Sequence, residues 1–118
     1  MKKRILIVDD ERNIRLTIKR SLEMENYTVD EAISGEEGLD RLMLMPYDLV
    51  LLDLRLPGIS GTEMMDKLTE LGVSVKIVVI SAHGTIELAV KTLKGGALDF
   101  VEKPFSPEEI RQIVSKYV

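Results

Sequence analysis

The segment DLVLLDLRLPGISG, residues 48–61, decides the fold. Its apolar run 49–52 does not alternate with polar residues, so the strand it predicts is covered on both faces, as in a parallel sheet flanked by helices. The run stops at Asp53. The loop that follows carries Pro57, Gly58 and Gly61, a composition that predicts a defined turn lying over that aspartate. Working outward, three more short runs behave alike: residues 5–8 stop at Asp9 and Asp10, residues 77–80 at Ser81, and residues 100–102 at Lys103. As neighbouring strands of one parallel sheet, these runs deliver all five side chains to its carboxyl edge, where open α/β sheets bind ligands.

Between the apolar bursts lie stretches of period 3.6, the alternation that implies βαβ units. Strands are expected at Arg4–Val8, Thr28–Ala32, 49–52, 76–80 and Asp99–Glu102. The first helix turns Ile14, Ile18 and Leu22 inward and ends near Asn26, a residue that tolerates the left-handed turn. Ser34 with Glu37, Ser60 with Glu63 and Ser106 with Glu109 have capping-box spacing, and Pro107 suits the first helical position. The expected inward stripes are Leu39 and Leu42; Met64, Met65, Leu68 and Leu71; Ile86, Ala89, Val90 and Leu93; and Ile110, Ile113, Val114 and Tyr117. Gly72 and Gly96 fall where helix exits need positive φ. Right-handed crossovers then give an α/β three-layer sandwich, a five-stranded parallel sheet of order 2-1-3-4-5 doubly wound with five helices.

At 118 residues the chain predicts one domain, residues 1–118, and 45% hydrophobic residues can supply its core. The absence of cysteine excludes disulfides, thiolate zinc sites and thiol nucleophiles. MKKRILIVDD begins with basic residues, but its apolar stretch is too short for an export signal, and no segment approaches the ~20 apolar residues of a membrane span. A soluble, cytoplasmic protein is therefore expected. Net charge −4 argues against direct nucleic-acid binding, and the one basic run, Lys2, Lys3 and Arg4, reads as a solvated strand entrance.

Asp9, Asp10 and Asp53 on adjacent strand ends would stand ~5 Å apart, repelling by ~3 kcal/mol per pair at an effective dielectric near 20. Either one carboxyl takes a proton or a cation settles the conflict. The ligands are all hard oxygens, which favours Mg²⁺, with Mn²⁺ as the alternative. Lys103 offers a point charge and Ser81 a hydroxyl for phosphoryl oxygens. A cation, an ammonium and a hydroxyl around one carboxylate make a clamp for phosphoryl transfer, with Asp53 as the nucleophile.

The strings LIVDDE, DLVLLDLRLPGISG, VVISAHG and DFVEKPF, which together span the chain, resemble the receiver domain of two-component response regulators (CheY-like). That resemblance implies that Asp53 accepts a phosphoryl group from the phosphohistidine of a partner sensor histidine kinase. It implies Mg²⁺ ligation by Asp10, Asp53 and the backbone carbonyl of Arg55, with Asp9 acting through a metal-bound water, and a cis Lys103-Pro104 bond. It further implies a switch pairing movement of Ser81 with rotation of Phe100, where many receivers carry Tyr, and a dimer or docking face on the fourth helix, fifth strand and fifth helix. Enzymatic ability would be limited to self-phosphorylation and slow autodephosphorylation. Within the family, GTIELAVKTLKGGALDFVEKPF is most similar to receivers of NtrC-type sigma-54-dependent transcriptional activators, in which ATPase and DNA-binding output domains follow. An excised receiver is then expected over a free-standing one. His83, two residues beyond Ser81, is either a solvated loop residue or a group that influences attacking water.

Two rivals use the same residues differently. A Mg²⁺-dependent phosphohydrolase resembling the haloacid dehalogenase group would carry Asp-x-Asp after the first strand, whereas this chain has Asp9-Asp10-Glu11 and no room for a cap domain. An unphosphorylated, receiver-like interaction module would not need all five pocket groups.

Overall fold

The structure is a computed structural model that describes residues 2–82 and 84–118, so the reading of His83 lies outside the described residues. Five strands, β1 (Arg4–Val8), β2 (Thr28–Ala32), β3 (Leu49–Asp53), β4 (Ile77–Ser81) and β5 (Asp99–Glu102), alternate with α1 (Arg12–Glu23), α2 (Gly35–Leu44), α3 (Gly61–Glu70), α4 (Ile86–Lys94) and α5 (Pro107–Tyr117). All pairings are parallel, and the sheet order is β2-β1-β3-β4-β5. β3 and β4 each run one residue further than expected. Asp53 and Ser81 are therefore held by their own strands rather than by the loops beyond them.

Both faces of the sheet are apolar, which is why its strands do not alternate. Leu6, Val8, Val50 and Leu52 face one way and pack with Leu42, Met64, Met65 and Leu68 from α2 and α3. Ile5, Ile7, Leu49 and Leu51 face the other way and pack with Ile18, Leu22, Ile110 and Val114 from α1 and α5. Each such side chain contributes ~1.5–3 kcal/mol by leaving water. The local stops also fall where expected. Asn26, Gly72 and Gly96 have φ of 67°, 69° and 113°. Ser60 and Ser106 form reciprocal capping boxes, and the Ser34 hydroxyl accepts from the Glu37 N–H.

Two inward stripes need correction. Leu71 is the C-cap of α3 and is 54% exposed. On α4 the side chains of Ile86, Val90 and Leu93 are 86%, 43% and 44% exposed, while Thr92 is buried and Leu88 packs on the core. The Thr92 hydroxyl donates to the Ala89 carbonyl at 3.0 Å, so a polar residue can face inward at no hydrogen-bonding cost. The larger apolar stripe of α4 is thus left on the surface.

Candidate functional site

The register sets the site. Val8 pairs with both Ala32 and Leu52, Asp53 with Ile80, and Ser81 with Glu102, so all five strands end within a residue of their neighbours. Beyond β1 the chain continues into Asp9, whose N–H still donates to the Ala32 carbonyl. Beyond β5 the Lys103 N–H donates to the Ser81 carbonyl at 2.8 Å, hanging the lysine from the strand that carries the serine. The Lys103-Pro104 peptide is cis. Gly61 opens α3 directly against β3: an added Cβ would lie 2.5 Å from the Asp53 carbonyl oxygen and 2.8 Å from Leu54 Cα.

Within this frame the charged groups converge. The Lys103 ammonium lies 2.8 Å from Asp9 Oδ2, 3.2 Å from Asp53 Oδ2 and 3.3 Å from Glu11 Oε1, three carboxylates for its three N–H donors. Asp9 Oδ1 accepts from the Glu11 N–H at 2.8 Å, and Asp53 Oδ1 from the Arg55 N–H at 3.2 Å. Asp9 is fully buried, Asp53 nearly so, and Asp10 stands exposed at the rim. The three aspartates each offer an oxygen within 4.8 Å of the others. Asp10, Glu11, Asp53, Arg55, Ala82 and Lys103 line a small concavity of about 170 Å³. A groove of about 570 Å³ lies elsewhere, along β5 and α5, so size does not mark the chemistry in this molecule.

Burial raises the pKa of Asp9, and the like charge of Asp53 adds to that; the Lys103 and Glu11 hydrogen bonds oppose it without prevailing. For Lys103, burial pulls the other way, but its contacts with Asp9 and Asp53 outweigh that and raise its pKa. The asymmetry follows from numbers: one ammonium faces several carboxylates, whereas Asp9 shares one ammonium.

All five side chains expected at the carboxyl edge are found there. Ser81 is buried at the end of β4, one strand from Asp53. Phe100 is partly buried against the core, and its ring fills the space beside Gly84, where an added Cβ would lie 2.7 Å from Cε1. Two participants escaped the sequence reading. Glu11 reaches Lys103, and Arg15, on the first turn of α1, donates to the Asp9 carbonyl at 2.9 Å. The signal available for both was position: a helix starting two residues after Asp10 places its first turn over that strand end.

A doubly wound sheet whose carboxyl edge gathers aspartates, a serine and a lysine defines a class of acidic-pocket α/β proteins. The profile of the response regulator receiver domain matches residues 5–115, and the chain belongs to that family. It is 33% identical to Sporulation initiation phosphotransferase F of Bacillus subtilis (strain 168) over 118 residues, covering 100% of this chain and 95% of that protein. It is 39% identical to Transcriptional regulatory protein ResD of the same organism over 107 residues, 91% of this chain, and spans only 44% of ResD. Among solved structures, the response regulator TrrA of Thermotoga maritima in complex with Mg(2+)-BeF superposes with a TM-score of 0.86 at 37% identity, covering 98% of this chain and 99% of that one. Receivers are the phosphorylation-dependent switches of two-component systems, phosphoacceptors rather than metabolic enzymes, and they partner with sensor histidine kinases. Among the described residues, no helix is long and apolar enough to cross a membrane.

Proposed function

We propose that Asp53 is the phosphoacceptor of this receiver and that Lys103 and Ser81 serve it. The observation that carries this is the Lys103 ammonium held 3.2 Å from a buried Asp53 whose other oxygen is fixed by the Arg55 N–H. An Asp53 carboxylate oxygen attacks the phosphorus of a phosphohistidine, forming a P–O bond while the P–N bond breaks and its electron pair returns to the imidazole. Lys103 neutralises charge on the phosphoryl oxygens, and the Ser81 hydroxyl donates to one of them. Dephosphorylation by water is slow, and small acyl phosphates can replace the kinase as donor.

The donor set fits Mg²⁺ or Mn²⁺. Three hard oxygens lie within 4.8 Å of one another, and the buried Asp9 Oδ2 stands against the Lys103 ammonium at 2.8 Å. Asp10, Asp53 and the Arg55 carbonyl would hold the ion, with Asp9 acting through a water. When bound, the ion supplies charge neutralisation for the transferring phosphoryl group. The new charge at Asp53 then draws Ser81 and Lys103 inward and lets Phe100 turn. Exposed Ile86, Val90 and Leu93 support a homodimer or docking face built from α4, β5 and α5. In a longer chain of the NtrC type, the controlled output would be a sigma-54-dependent ATPase with a DNA-binding domain, acting in the cytoplasm. The string GTIELAVKTLKGGALDFVEKPF supports that assignment, and the greater length of ResD is in keeping with an output beyond the receiver.

Incubation with Mg²⁺ and acetyl phosphate, followed by intact-mass measurement, tests the reading. One hydroxylamine-labile phosphoryl adduct is expected, absent in Asp53→Asn. An adduct that persists in Asp53→Asn, or steady turnover of p-nitrophenyl phosphate with nothing trapped, overturns it.

A further inference from the structure

Arg15 does not reach the pocket, yet its side chain is only 13% exposed and both ends of its guanidinium are engaged. One terminal nitrogen donates to the Asp9 carbonyl at 2.9 Å, and Nε donates to Glu31 Oε1 at 3.1 Å. Glu31, on β2, is itself held by the Lys19 ammonium, 3.5 Å from Oε2. β1 ends at Val8, so the Asp9 carbonyl lies past the last rung of the sheet, and the guanidinium supplies a donor where the ladder no longer does. That carbonyl belongs to the planar Asp9-Asp10 peptide. Fixing its oxygen fixes the orientation of the whole unit, and with it the point from which the Asp10 side chain departs.

We propose that Arg15 is a positioning residue for the acid pair: by holding the Asp9 carbonyl, it sets where the Asp10 carboxylate stands and so tunes the affinity of the pocket for a divalent cation. This rests on the reading of the pocket as a cation and phosphoryl site. Glu31 and Lys19 keep the guanidinium aimed. A lysine at position 15 has a single ammonium and cannot serve two acceptors with the same fixed fork.

Sign makes the inference testable. A positive charge near a cation site opposes the cation, so on Coulombic grounds alone its removal would tighten Mg²⁺ binding. Loss of positioning does the opposite: partners that orient metal ligands typically cost ~10–100-fold in affinity when removed. Calorimetric titration of Mg²⁺ into wild type, Arg15→Met and Arg15→Lys is the measurement, with metal-free melting curves reporting the fold of each. Weaker binding is expected in Arg15→Met by about that factor, partial recovery in Arg15→Lys, and return of the acetyl-phosphate adduct in Arg15→Met once Mg²⁺ is raised above its new dissociation constant. Equal or tighter Mg²⁺ binding in a folded Arg15→Met overturns the inference. Should Arg15→Met not fold, Arg15→Gln, which also removes the charge, is read by the same criterion. Failure of the wild type itself to bind Mg²⁺ or to form the adduct would instead overturn the assignment of the pocket.

Discussion

At the scale of single residues, Asp9 carries a buried charge at a cost, and Lys103 is its partial remedy. The charge on Asp9 is buried, faces Asp53 and shares its one ammonium with two other carboxylates. Because its folded pKa is raised above the unfolded 3.8, the folded state binds a proton more readily than the unfolded chain. This group's penalty is therefore fully present above the raised value and is relieved as pH falls through it toward 3.8. Metal-free Asp9→Asn, which keeps an oxygen for the Glu11 N–H, is expected to melt a few degrees higher than wild type at pH 7 and to lose that acid-side gain. Thermal melts of both proteins between pH 4 and 8 would check it, and a lower melting temperature for the variant at pH 7 would refute it. Lys103 behaves oppositely: with a raised pKa, its contribution holds below its ordinary 10.5 and is lost as pH rises through the folded value.

The five pocket residues were readable because each follows an apolar run, and the pattern places a strand's end to within a residue. Glu11 and Arg15 were not, because their part depends on how far a side chain reaches back from a helix.

At the scale of elements, the strands and caps followed from local chemistry, whereas the orientation of α4 did not. Ile86, Val90 and Leu93 make a convincing i, i+4, i+7 stripe, and nothing in the sequence says that Leu88 and Thr92 win the inward place. Burial of Thr92 costs little, because its hydroxyl donates to the Ala89 carbonyl within its own helix. The result is a helix with Thr92 as its one buried residue, against three in α1 and four in α3. Amides of α4 are accordingly expected to exchange with solvent fastest among the five helices, since few buried apolar contacts oppose local opening. Hydrogen exchange read by mass spectrometry or NMR checks this, and protection of α4 equal to that of α3 would contradict it.

At the scale of the whole molecule, two apolar cores lie on opposite faces of one sheet, and β3, buried at every residue, is the wall between them. The acid pocket sits on the rim of that wall, so relief of its repulsion should register in global stability. Mg²⁺ at ten times its dissociation constant is expected to add ~1.4 kcal/mol by mass action, several degrees in melting temperature. Asp10→Ala should abolish the increment. A melting temperature unmoved by millimolar Mg²⁺ in the wild type would count against the cation site.

The single rung between the Lys103 N–H and the Ser81 carbonyl has its own outcome. The root of the lysine hangs from the root of the serine, which ties the ends of β4 and β5 together. In the switch proposed above, a tug on the hydroxyl would therefore also be a tug on the ammonium, and through β5 on Phe100. The three would then turn as one crank rather than three levers.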